Sequence, residues 1–236
     1  MRSRMPAFVA LLLPVTGFAQ LEEIVVTGML RDDGDTEVPA ATVTRRADFL
    51  VQNIRLINDS RAPDLRKKEI IETIENLLNR AKSIKGMAVS YGDGFLEPIN
   101  LDDESLLLLE DYQRSDTSFI DIYAKTAMDP TRDAKAQIRD LEEFVDGVRK
   151  SGRTEIIPLG DIGLSIVGPE QYRYDIIRAI AAENAKIADA MQAECDVAIH
   201  GLEGRVQWER VSVSELTLYI PYQLEVSDCS PIDEDD

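Results

Sequence analysis

The sequence is poor in the side chains that most often carry catalysis or bind metal ions. It has one histidine, His200, and two cysteines, Cys195 and Cys229. A Ser-His-Asp or Cys-His arrangement would have to use His200, which lies in a strand-like, largely apolar segment. The three residues have no close ligand spacing, so no zinc site is predicted. We expect a protein with no catalytic centre, no metal and no cofactor.

Signals for phosphate, calcium and nucleic acid are also missing. The sequence near Gly160 has neither the glycine spacing nor the lysine of a phosphate-binding loop. The acidic cluster at 31–35 lacks the spaced ligands and distal glutamate of an EF-hand. Lysine and arginine number 26 against 44 acidic residues, a formal charge of −18. That field repels nucleic acid and anionic lipid, so we expect neither as a partner.

Long hydrophobic runs are absent as well. The most apolar stretch, 8–15, is shorter than the ~20 residues that a membrane-spanning helix needs. Two arginines precede it, and Gly17 and Ala19 stand at the −3 and −1 positions of a cleavage site. Residues 1–19 are therefore predicted to be a secretory signal. We expect the mature protein to be exported, with no membrane span after signal removal.

The two cysteines are candidates for a disulfide, which an exported compartment permits. Their midpoint is residue 212, inside the polar segment 209–215. If the flanking strands form a hairpin that turns there, Cys195 and Cys229 lie opposite each other at its open end. Two free thiols are the alternative. A bridge over this span would contribute ~3–4 kcal/mol in the chain-entropy account.

A short β-prone segment, 21–28 (LEEIVVTG), follows the predicted signal. Ile24, Val25 and Val26 are β-branched and favour an extended backbone. Such a strand satisfies its backbone groups by joining a sheet edge, supplied either by its own domain or by a partner. The next residues, 29–43, have no apolar period and predict a flexible linker. We place the segment and linker together at 20–46.

From residue 47 onward, strand and helix patterns follow one another. The predicted strands are 47–58, 87–91, 117–128, 153–157, 161–167, 195–201, 205–208 and 216–226. The predicted helices begin at Pro63, at Asp129-Pro130 and at Gly168-Pro169, and the first two end at Gly86 and Gly152. We expect an α+β domain over 47–228, in which a mixed or antiparallel sheet carries about three long amphipathic helices. An acidic tail follows at 229–236.

Two features leave alternatives open. Four consecutive leucines at 106–109 are too apolar to leave in water, so they cover either a core edge or an interface. Asn184 falls on the apolar stripe of the third helix. A buried amide needs a partner, and this one could also fix the register or contact another subunit.

The order of elements resembles that of the SIMPL-domain family of exported bacterial proteins. The similar pieces are the strand at 120–128 before a helix, the strand at 162–167, and the alanine-rich helix at 172–191 leading into the strand at 195–201. The resemblance implies an α+β fold and, in some members, assembly into rings. It implies no enzyme.

The segment 21–28 resembles the TonB box, with which outer-membrane receptors of Gram-negative bacteria engage the periplasmic protein TonB. The resemblance rests on acidic residues, a β-branched triplet and a Thr-Gly pair just after the signal. It implies that this segment pairs with TonB or a similar periplasmic partner by strand addition. The residues concerned are Glu22, Glu23, Ile24, Val25, Val26, Thr27 and Gly28.

We therefore expect a non-enzymatic interaction protein of the periplasm. The alternative is an oligomeric structural component of the cell envelope, with the segment integrated in its own sheet. The segment alone does not imply transport.

Overall fold

The structure is a computed structural model of the 236-residue chain. It describes residues 23–26, 38–92, 96–101, 108–111, 114–191 and 193–231, with backbone alone at 23–26, 110, 111, 115, 194 and 231. The predicted signal and residues 232–236 of the predicted tail lie outside the described residues.

Twelve strands and three α-helices make up the described fold, which confirms the predicted α+β class. The strands are β1 (Glu23–Val26), β2 (Val43–Arg46), β3 (Phe49–Asn58), β4 (Met87–Tyr91), β5 (Glu97–Pro98), β6 (Leu109–Asp111), β7 (Arg114–Ala127), β8 (Glu155–Val167), β9 (Ala193–His200), β10 (Gln207–Arg210), β11 (Glu215–Tyr219) and β12 (Gln223–Pro231). The helices are α1 (Pro63–Lys82), α2 (Ala134–Asp146) and α3 (Arg173–Met191), and a 3₁₀ turn (Pro169–Tyr172) precedes α3.

The main sheet has seven strands, all paired antiparallel, in the order β1-β8-β3-β7-β4-β5, with β6 also on β7. Leu50, Ile54 and Leu56 of β3 alternate along one face and are fully buried. Because β3 and β4 both run antiparallel to β7, they are parallel to each other. Strand β3, helix α1 and strand β4 therefore form a split β-α-β unit, with β7 between the two parallel strands.

Helices α1 and α2 contact the sheet through β3 and β7. Their apolar residues recur at helical spacing, as the sequence predicted, and these side chains are buried or partly buried against the core. The buried members are Ile70, Ile74, Leu77 and Ala81 of α1 and Leu141, Phe144 and Val145 of α2.

The predicted bounds of α2 were wrong at both ends. The helix begins after Asp133, whose carboxylate accepts a hydrogen bond from the Ala136 N–H at 2.9 Å. Asp129 caps a turn instead, because its carboxylate accepts from the Thr131 N–H at 2.8 Å. The helix ends at Gly147 rather than Gly152.

The two strands predicted around Pro158 are one strand, β8. The ladder with β3 continues on both sides of a register shift between Val51 and Asn53. Gly160 has a φ of +64°, which the missing Cβ of glycine allows. The turn residues thus form an irregularity within a strand rather than a break.

The C-terminal strands form one long hairpin in two sections. Strands β10 and β11 pair around a turn at 211–214, and β11 also pairs with β2. Beyond Pro221, which cannot donate to a ladder, β9 and β12 pair with each other. The predicted hairpin turn is therefore confirmed, and the predicted final strand is divided between β11 and β12.

The predicted linker does not extend to residue 46. Residues 29–37 lie outside the described residues, but Ala41 is buried and Val43–Arg46 forms β2 on β11. The sequence prediction followed Pro39 and the acidic cluster. Both precede β2 in the chain, since the strand begins at Val43.

The four-leucine run is only partly described. Leu108 packs against the core, whereas Leu109 is 53% exposed and 106–107 lie outside the described residues. Within the described ranges, none of the helices has the length and apolarity needed to cross a membrane.

Candidate functional site

Residues 23–26 of the predicted partner-binding segment form the outermost strand of the main sheet. Glu23 faces Val167 and Val26 faces Leu164 in the β1–β8 ladder. Glu22, Thr27 and Gly28 lie outside the described residues. The strand thus belongs to the chain's own sheet, which is the arrangement of the alternative hypothesis and not that of a free, tethered strand. Binding to a partner stays a prediction.

The outer edge of β1 has no strand beside it among the residues that the structure describes. In an antiparallel ladder, neighbouring residues direct their N–H and C=O groups to opposite sides of the strand. About half of the backbone groups of β1 therefore point to β8, and the others point away from the sheet. The outward groups are the ones that an added strand would use.

An open cleft of about 580 Å³ lies close to this edge. Its wall on β8 is Asp161 and Ile162, two residues before Leu164, which faces β1. The other walls are Ile138 and Glu142 of α2 and the hairpin turn at 210–213. The cleft is mostly apolar, with two carboxylates on its walls.

Arg210 fastens the hairpin turn to β8 at the cleft. Its Nε donates to the Ser212 carbonyl at 2.9 Å, and its Nη1 donates to the Ile162 carbonyl at 2.8 Å. Burial lowers the pKa of Arg210, and the Asp161 carboxylate opposes that effect. An arginine remains charged at neutral pH. Two of its donors are held by carbonyls, so its evident role is to fix the turn.

A polar cluster that the sequence did not reveal joins α1 to the loop before β8. The Glu69 carboxylate accepts from Asn58 Nδ2 and from Ser60 Oγ, each at 2.7 Å. It also accepts from the Arg153 N–H at 3.1 Å. Asn58 donates in turn to Thr154 Oγ1 at 2.9 Å. The partners lie 9 to 84 positions from Glu69, which is why no local pattern predicts the cluster.

We expect the Glu69 cluster to make the free energy of unfolding vary with pH in the acidic range. Hydrogen bonds from Asn58, Ser60 and the Arg153 N–H hold the pKa of Glu69 below its ordinary value of 4.5. A lowered pKa in the folded state contributes stability above the unfolded value, and that contribution is lost as the pH falls through the folded pKa. Glu69→Gln should therefore destabilise the protein at neutral pH by more than it does in acid.

Urea unfolding from about pH 7 to pH 3 measures this difference. Glu75→Gln changes an exposed acid on the same helix and serves as the control. A Glu69→Gln penalty that stays constant across the pH range would contradict the prediction.

Cys195 and Cys229 form a disulfide between β9 and β12 at the open end of the hairpin. This is the geometry predicted for the bonded alternative. His200 lies on β9 with its Nε2 3.7 Å from a Glu225 carboxylate oxygen, and both side chains are largely exposed. In the described part of the chain, no three histidine, cysteine or acidic side chains cluster as metal ligands would.

Asn184 of α3 has a buried side-chain oxygen with no hydrogen-bond partner among the described residues. A role in fixing the register or in contacting another subunit stays a prediction. Of the predicted inner stripe of α3, Ile176 and Ile180 are buried, but Met191 is 45% exposed. The sequence pattern overstated how far along α3 the core extends.

Comparison of the chain with protein-family models, with curated proteins and with solved structures found no match.

Proposed function

We propose that the chain is a non-enzymatic, oligomeric structural component of the cell envelope, with its N-terminal strand integrated in its own sheet. The observation that carries the proposal is the register of β1 on β8, from Glu23 facing Val167 to Val26 facing Leu164. Export to the periplasm follows from the predicted signal.

Integration of β1 has a physical reason in β8. Leu164 and Ile166 are fully buried, so this part of β8 is a core strand. Without β1, its outer N–H and C=O groups would form an unpaired edge next to the core. Unpaired edges invite pairing with other chains, and a covering strand prevents it.

A second function, capture by TonB or a similar periplasmic protein, is favoured by the open outer edge of β1. A partner strand that pairs there would extend the sheet without displacing β1 from β8. Both functions are then compatible with one arrangement of the N-terminal segment.

Proline substitutions at Ile24 and Val25 separate the two functions. Adjacent residues donate to opposite sides of β1, so one proline removes an N–H facing β8 and the other removes one facing outward. The inward proline should lower the free energy of unfolding by about 1 kcal/mol or more. The outward proline should leave stability unchanged and abolish capture of purified TonB.

Thermal unfolding measures the effect on stability, and a pull-down with purified TonB measures the effect on capture. If neither proline, nor deletion of 20–28, changes stability, the structural proposal fails. If capture is absent in the wild type, or persists with both prolines, the TonB function fails.

A further inference from the structure

The β9–β12 pair is a two-stranded sheet of its own, and α3 contacts β9. No α3 residue after Ile180 is buried, and none of the described side chains of β9 or β12 is buried. Half-buried residues alternate with exposed ones along 195–200 of β9 and 223–226 of β12, and 227–230 are all exposed. Within these alternating stretches the half-buried set is Cys195, Val197, Ile199, Leu224 and Val226, and the exposed set is Asp196, Ala198, His200, Gln223 and Glu225.

The two outer edges of this pair differ. Strand β12 has a register shift between Ser227 and Ser230, a φ of +49° at Asp228, and Pro231 at its end. Bulges and prolines are the devices that keep a strand edge from pairing. Strand β9 has a regular register from Asp196 to His200, with no proline and no lysine. Among the described residues, β9 has a strand on one side only.

We propose that the free edge of β9 is a self-association surface, on which two copies of this chain pair antiparallel about a two-fold axis at Ala198. Ala198 then faces Ala198 of the second copy, and Val197 faces Ile199 of the second copy. Asp196 faces His200 of the second copy, and the symmetry repeats each contact.

The sequence of β9 favours a two-fold axis at Ala198 over axes at the adjacent residues of the strand. An axis at Asp196 would place two aspartates directly opposite each other, and like charges in that position are destabilising. An axis at Val197 would face Asp196 with Ala198 and leave its carboxylate without a side-chain hydrogen-bond donor. The axis at Ala198 places each aspartate opposite a histidine, whose ring N–H is a hydrogen-bond donor, and places a small side chain opposite its own copy.

Pairing would also add strands to this two-stranded sheet. An isolated pair of strands is only marginally stable, and a sheet of three or more strands with a hydrophobic face is more stable. Two copies would form a four-stranded sheet in the order β12-β9-β9-β12, with both α3 helices on the same face. This contact rests on the proposed oligomeric role and gives that role a defined interface.

Ala198→Lys tests the interface, and Gln223→Lys is the matched control. Both positions are exposed on the same face of the pair, but Ala198 lies at the proposed axis and Gln223 lies on β12. Analytical ultracentrifugation of the full mature chain should show a dimer for the wild type and for Gln223→Lys. Ala198→Lys should raise the dimer dissociation constant roughly tenfold or more, because two lysines would face each other.

Cysteine substitution tests the register independently. Directly opposite residues in an antiparallel pair are close enough for a disulfide. Ala198→Cys should therefore give an oxidised covalent dimer, whereas Gln223→Cys should not. Thermal unfolding of each variant distinguishes a loss of association from a loss of folding.

A wild type that stays monomeric at high micromolar concentration would overturn the proposal, as would an Ala198→Lys dimer of unchanged affinity. Failure here is distinct from failure of the integrated β1 strand. The proline variants of β1 test stability and TonB capture, whereas Ala198→Lys tests only the association of two copies.

Discussion

Replacing Gly152 by alanine is expected to lower the free energy of unfolding by about 3 kcal/mol or more, which combines two costs. Gly152 has a φ of +54°, in the left-handed region that side chains disfavour. That conformation alone costs about 1–2 kcal/mol for a residue with a Cβ. The added Cβ would also overlap Glu69 Cδ, so the carboxylate would have to move.

Moving Glu69 is expensive because its carboxylate accepts three hydrogen bonds. Hydrogen bonds to a charged group are worth about 1.5–3 kcal/mol each, so the loss of one accounts for the second cost. Gly160→Ala is the matched control, since its φ is +64° and nothing lies within 4 Å of the added Cβ. It should show the left-handed cost alone.

Urea unfolding of single and double variants isolates the contact. In a Glu69→Ala background, Gly152→Ala should cost no more than Gly160→Ala does. An equal cost of Gly152→Ala in both backgrounds would show that the contact with Glu69 is not the cause.

Removing the disulfide is the second large effect expected. Cys195 and Cys229 are 34 positions apart. In the chain-entropy account, closing a loop of that length raises the free energy of the unfolded chain by about 3–4 kcal/mol. The double variant Cys195→Ser/Cys229→Ser should lose that amount of stability, and adding a reductant to the wild type should reproduce the loss.

The same double variant provides the control, because a reductant should leave its own unfolding unchanged. Urea midpoints with and without reductant measure both effects. If reduction leaves the urea midpoint of the wild type unchanged, the prediction is contradicted. The hairpin would then restrict the unfolded chain equally well without the disulfide bond.

Periodicity in the sequence was sufficient to predict the parts of the fold that are set locally. Ile120, Ile122 and Ala124 alternate with polar residues and are buried on β7. Spacing also indicated the hairpin turn with facing cysteines as one of two alternatives, and the disulfide is the one that the structure has. These features depend on which face of a single element is apolar, and the spacing of apolar residues in the sequence indicates that face.

Tertiary contacts decided the points at which prediction failed. Asp129 and Asp133 are both suitable N-caps, but the Gln137 side chain holds the backbone of Asp129 through two hydrogen bonds of 2.8 and 3.1 Å. The turn at Asp129 is thereby fixed, and the helix begins after Asp133. No local signal distinguishes the two aspartates.

The candidate site was predictable as a strand but not in its pairing. Ile24, Val25 and Val26 favour an extended backbone whichever chain supplies the neighbouring strand. The outcome depends on β8, which is more than 100 positions away and leaves its edge open for β1. A sequence read segment by segment does not contain that information.

The long C-terminal hairpin has a consequence for how the oxidised protein forms. Side chains alternate between the two faces of a strand, so a slip of one residue between β9 and β12 would send the two thiols to opposite faces. The alignment set by the turn at 211–214 and the intervening rungs brings the two sulfurs together. Once the disulfide has formed, it excludes the slipped register.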